Sequence, residues 1–144
     1  MTTIGTLLDA KSDNIVIFSV TPGQTVREAL ELMKHHDIGC VLVMEGDTLK
    51  GILSERDYAR KMILYGKASA STPVSDIMTT KVTCTTRSNS VDDCLELMSR
   101  YDFRHLPVVE DDKVLGMVSI RDLVSSIIKE QQNTIDHLQQ YIAS

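Results

Sequence analysis

The 144-residue sequence predicts an α+β fold made of two β-α-β-β-α copies packed about a pseudo-twofold axis, followed by a C-terminal helix. Three observations predict it. "GILSERD" begins at position 51 and "GMVSIRD" at position 116, so Gly, two apolar residues, Ser, a free position, Arg and Asp recur at an offset of 65. The same offset extends backwards: from 26 to 57, 13 of 32 positions are identical to those 65 later, including "LELM" at Leu30–Met33 and Leu95–Met98. Chance gives about two, and a repeat of this kind organises the whole chain. The hydrophobic periodicities also follow one order in both copies. A single copy of about 60 residues is marginal alone, so the two are expected to share apolar faces.

Each copy opens on a β-branched run, "NIVIFSV" at 14–20 and "KVTCT" at 81–85, which reads as a strand. A helix follows in "TPGQTVREALELMKHH", with Val26, Ala29, Leu30, Leu32 and Met33 at helical spacing and Thr25 as its N-cap ahead of Glu28. Ser90 and Asp93 repeat that cap in "SNSVDDCLELMSRY". "CVLVMEGDTLKGILS" and "LPVVEDDKVLGMVS" read as hairpins with glycine and acidic turn residues. The last helices start at the motif, in "ERDYARKMILYG" and "IRDLVSSIIKEQQ". "GKASASTP" at 66–73 reads as a polar linker ahead of a "VSDIMTT" lead-in, which divides the chain into 1–69, an N-terminal segment with copy one, and 70–144, copy two with the C-terminal helix. Beyond the second motif, Ile128, Ile135 and Ile142 recur every seven residues, as do Val124, Gln131 and Leu138. That narrow seam suits packing along its own module or along a second copy.

Composition narrows the function. Apolar residues are 42% of the chain, enough for a core, while aromatics are 4%, so Ile, Leu, Val and Met must fill it. A formal net charge of −5 argues against capture of nucleic acid or of an anionic membrane, which need clustered cations. The three cysteines, Cys40, Cys84 and Cys94, form neither a CxxC nor an even set, and the N-terminus lacks a signal-peptide pattern. A reducing, cytoplasmic setting is expected.

The motif carries chemistry in two ways. Ser54 with Asp57, and Ser119 with Asp122, have the S-x-x-D spacing of a capping box. The same helix start also offers free amides and a positive dipole end to a phosphate, and a carboxylate able to accept hydrogen bonds from two ribose hydroxyls. Arg56 and Arg121 stand in the first helical turn, where the dipole disfavours a cation, so each calls for an anionic partner, either a phosphate or an acidic side chain.

The repeat, the element order, the twin G-h-h-S-x-R-D stretches, "DIMT" at 76–79 and "RHLPVVEDDKVLGMVSIRDL" at 104–123 together resemble a tandem pair of CBS domains. The resemblance covers nearly the whole chain. It implies a non-catalytic regulatory module that binds an adenosine-containing ligand (AMP, ADP, ATP, NAD or S-adenosylmethionine) in clefts between the repeats, forms a homodimer and signals energy or redox state to a regulated protein. It also implies that the ribose Asp of one copy faces the start of the second strand of the other. Asp57 would then share a cleft with Arg104 and His105, and Asp122 one with Gly39 and Cys40. The adenine would be lined by Lys81 and Val82 in the first cleft and by Ile17 and Phe18 in the second. A dimer patch is expected from Tyr58, Met62, Ile63, Leu123, Ile127 and Ile128.

Two other readings compete. A module whose clefts stay empty would use the same residues for packing and capping only. An enzyme would draw a nucleophile and base from the cysteines and His35, His36, His105 and His137, but no recognisable signature joins them.

Overall fold

The computed structural model describes residues 2–11, 17–101 and 103–143. Its elements, in chain order, are α1 (Ile4–Ala10), β1 (Ser19–Val20), α2 (Val26–His36), β2 (Cys40–Glu45), β3 (Thr48–Ser54), α3 (Glu55–Asp57), α4 (Val91–Tyr101), β4 (His105–Glu110), β5 (Lys113–Ser119) and α5 (Ile120–Ala143). A π-helical turn, Tyr58–Ile63, continues α3, and a 3₁₀ turn covers Val74–Asp76.

The chain falls into two compact units. The first contains residues 17–83 and 112–114; the second contains 2–11, 84–101, 103–111 and 115–143. The sequence division at 69/70 follows the repeat, whereas these units follow packing. Residues 2–11, which precede copy one, belong with copy two, and residues 72–83, which precede copy two, belong with copy one.

The hydrogen bonds make this exchange symmetrical. Val26 N donates to Thr72 O at 2.9 Å, and Val91 N to Thr2 O at 2.9 Å. Val74 N donates to Gln24 O at 2.7 Å, and Ile4 N to Asn89 O at 2.8 Å. Ser75 N reaches Pro22 O at 3.0 Å, and Gly5 N reaches Arg87 O at 2.9 Å. The cores correspond likewise. Val26, Ala29, Met33, Val41, Val43, Leu53, Val74 and Ile77 are buried together in the first unit. Val91, Cys94, Met98, Leu106, Val108, Val118, Ile4 and Leu7 are buried together in the second.

The caps form as expected. Thr25 Oγ1 accepts from Glu28 N at 3.2 Å, and Ser90 Oγ accepts from Asp93 N at 3.0 Å. Two-residue loops close both hairpins. Gly46 is left-handed at φ 62° in the first, and Asp111 and Asp112 at φ 51° and 63° in the second. In the first unit β1 runs parallel to β2, and β2 antiparallel to β3.

The opening strands are shorter than expected. Only Ser19–Val20 forms β1, residues 14–16 lie outside the described residues, and of 81–85 only Thr85 pairs, in a parallel bridge to Val108. The dimer patch also needs correction. Met62 and Leu123 are buried in their own cores, leaving Ile63 and Ile128 exposed with Leu64 and Tyr65.

Candidate functional site

In each copy a backbone hydrogen bond ties the helix start to the residue just before, or opening, the central strand. Glu55 N donates to Gly39 O at 3.0 Å, and Ile120 N to Arg104 O at 2.9 Å. The serine and aspartate that follow then close on each other. In the first unit the capping box is complete: Asp57 N donates to Ser54 Oγ at 3.1 Å, and Asp57 Oδ2 accepts from Ser54 N at 3.0 Å and Ser54 Oγ at 3.1 Å. In the second, Asp122 N donates to Ser119 Oγ at 3.1 Å and Asp122 Oδ2 accepts from Ser119 N at 2.9 Å.

A lead-in segment supplies each aspartate with a further partner. Thr79 Oγ1 donates to Asp57 Oδ1 at 3.1 Å, and Lys61 Nζ lies 3.2 Å from the same oxygen. Asp57 is only 14% exposed, so these contacts occupy most of its carboxylate. In the second unit Lys11 Nζ lies 2.8 Å from Asp122 Oδ2. Burial works against ionisation of Asp122, but the hydrogen bonds from Lys11 and Ser119 and the Lys11 charge outweigh it and hold the carboxyl below its ordinary value. Lys11, Thr79 and Lys61 were not anticipated. Lys61 has a weak signal, being four residues from Asp57 on one helical face, whereas nothing local links Lys11 to Asp122.

The residues at the central strands differ in kind. His105 is half-buried; burial lowers its pKa, the Asp122 charge opposes this and Arg104 adds to it. Arg104 is exposed. At the equivalent places, Gly39 leaves open space where a side chain would stand, and Cys40 is buried, its thiol pushed up to about 12 by burial and then by Asp57. Within the units, Asp122 therefore stands with Arg104 and His105, where the resemblance implied Asp57 for that pair. Arg56 and Arg121 project from the exposed side of their helix starts. Lys81 is exposed and Val82 half-buried, in the unit that holds Asp57. Ile17 and Phe18 belong to that same unit. Phe18 stacks on His36 with ring centroids 3.9 Å apart and packs against the first core, which commits its ring to the interior.

The two matched sets are what a family profile detects: the CBS domain matches residues 12–64 and again 74–129. The chain belongs to the CBS-domain family. A curated relative, the mitochondrial CBS domain-containing protein CBSX3 of Arabidopsis thaliana, is 39% identical over 127 residues. That match takes in 85% of this chain and 62% of CBSX3, so the chain spans less than two thirds of that relative. Among solved structures, a protein from Burkholderia ambifaria named for signal transduction and CBS domains is 44% identical with a TM-score of 0.85, covering 90% of this chain and 96% of the other. CBSX2, solved in complex with AMP, shares the fold at 23% identity, with a TM-score of 0.73 and coverage of 91% and 99%. No helix among the described residues is long and apolar enough to cross a membrane, and among those residues no cluster of His, Cys, Asp or Glu is built to hold a metal.

Proposed function

We propose that this CBS pair is a non-catalytic sensor of adenosine-containing nucleotides (AMP, ADP, ATP or NAD) that passes energy or redox state to a partner protein. The observation that carries the reading is the twin helix start, Ser54–Asp57 and Ser119–Asp122, each with its carboxylate fixed by a cap. An ionised carboxylate accepts from two adjacent ribose hydroxyls, and the serine and helix amides beside it suit a phosphate. The AMP held by CBSX2 supports the choice of ligand. Asp122 belongs to the tighter site, because its own repeat supplies Arg104 and His105 for phosphate while the repeat of Asp57 supplies Gly39 and Cys40. A charge-assisted hydrogen bond of about 1.5–3 kcal/mol makes the two sites differ by roughly tenfold to a hundredfold.

Calorimetry and thermal melts with AMP, ATP, NAD and S-adenosylmethionine test the reading. A ligand at a hundred times its dissociation constant adds about 2.7 kcal/mol of stability. Arg104→Ala is expected to remove the tighter of two AMP-binding steps and keep the weaker, and Asp122→Ala to do the same. A melt unmoved by millimolar nucleotides would sink the proposal. Loss of the tighter step in Asp57→Ala instead would return Arg104 and His105 to the cross-copy pairing implied by the resemblance.

One observation favours a second reading, a purely structural module. Both oxygens of Asp57 are already engaged by Ser54, Thr79 and Lys61. In that case Asp57→Ala lowers stability and changes no binding isotherm.

A further inference from the structure

We infer that α5 is a self-association surface that pairs antiparallel with α5 of a second copy. Its first turns are anchored: Leu123 is buried in the second core and Ile127 packs against it. Past that anchor the helix keeps an exposed apolar seam, with Val124 at 43% exposure, Ile128 at 61%, Ile135 at 47%, Leu138 at 57% and Ile142 at 82%. The sevenfold spacing of Ile128, Ile135 and Ile142, interleaved with Val124, Gln131 and Leu138, is the pattern that two supercoiled helices share. A free helix of this length is marginal in water, but here the buried end has already met the cost of nucleation.

The occupant is a second copy because the seam is complementary to itself. In an antiparallel pair centred at the height of Asn133, Ile128 meets Leu138, Ile135 meets Gln131 and Ile142 meets Val124 of the second copy, so every apolar layer falls in register. The flanks agree: Lys129 comes beside Asp136, and Glu130 beside His137, so unlike groups oppose each other. Glu130 also lines a groove with Asp92, Ile127, Gln131, Thr134 and Ile135, which gives that histidine two carboxylates to approach. The positions directly flanking the seam (Ser125, Ile127, Gln132, Thr134, Gln139 and Tyr141) carry no charge to repel a copy. A parallel pair would instead stack Gln131 on Gln131 and leave the unlike charges unmatched.

Sedimentation velocity of the full chain at micromolar concentration tests this. Wild type is expected to sediment as a dimer of the 16.0 kDa chain, and Ile135→Asp as a monomer with unchanged helix content, since Ile135 lies outside the core. A monomeric wild type, or an Ile135→Asp protein that remains a dimer, overturns the proposal. Disulfide trapping reads the direction against a wild-type control. A mixture of Ile128→Cys and Leu138→Cys chains is expected to cross-link between the two variants, whereas Ile128→Cys alone, with its two copies about 15 Å apart along the axis, should not. Efficient self-linkage of Ile128→Cys overturns the antiparallel register. These readouts need no nucleotide, so they fail or succeed independently of the sensing function.

Discussion

His105 faces Asp122 from the start of β4, and its burial sets the direction of a pH effect. The folded imidazole has a pKa below its ordinary 6.5, while an unfolded chain takes up the proton near that value. Below about pH 6.5 the unfolded form therefore binds more protons, and stability falls with pH until the folded pKa is passed. Urea unfolding of His105→Gln is expected to show a flatter stability profile over roughly pH 5 to 7 than the parent; an unchanged slope would assign the effect elsewhere. Gly51 shows how a residue can be visible in the sequence while its reason is not. A Cβ there would stand 2.8 Å from Thr79 O and 2.9 Å from Met78 Sδ, because the lead-in strand crosses directly over it. The motif announces the glycine, but only the crossing explains it. Lys11 is the opposite case, decisive at Asp122 yet silent in the sequence, because a contact between distant residues leaves no local periodicity.

At the scale of elements, the caps and hairpins were legible because their signals are local: a hydroxyl three residues before an acid, or a Gly or Asp pair between alternating apolar runs. Thr25→Ala is expected to cost about 1 kcal/mol, read as a lower urea midpoint with an unchanged slope. A changed slope would mean that the substitution altered more than the end of α2. The opening strands were overread because β-branched residues report a preference, while a strand also needs a neighbour; Thr85 finds Val108 and β1 finds only β2. α1 was missed for another reason. The lead-ins correspond at an offset of 70, not 65, so Ile4 matches Val74 and Lys11 matches Lys81 only after a five-residue shift. The two motif helices also diverge: α3 gives way to a π-helical turn and ends by Gly66 at φ 65°, whereas α5 runs on for 24 residues.

At the scale of the molecule, each copy is completed by the segment that precedes the other. Ile4 and Val74 are each fully buried in the unit they join. Ile4→Ala is expected to cost about 2–5 kcal/mol through the cavity it leaves. Hydrogen exchange should speed up first in α4, β5 and the start of α5. Val74→Ala should act on α2 and β3 instead. If both variants loosen the same elements, the exchanged seating is not how stability is distributed.

That exchange also bears on synthesis. The ribosome releases α1 first, yet its seat, formed by Asn89, Val91 and the core around Met98, is made about 80 to 100 residues later at roughly 5–20 residues per second. Copy one, in contrast, receives Val74 and Ile77 almost as soon as its own hairpin has emerged. The earliest residues to leave the tunnel are thus the latest to dock, and for several seconds Ile4, Leu7 and Leu8 form an apolar N-terminus that a chaperone would recognise.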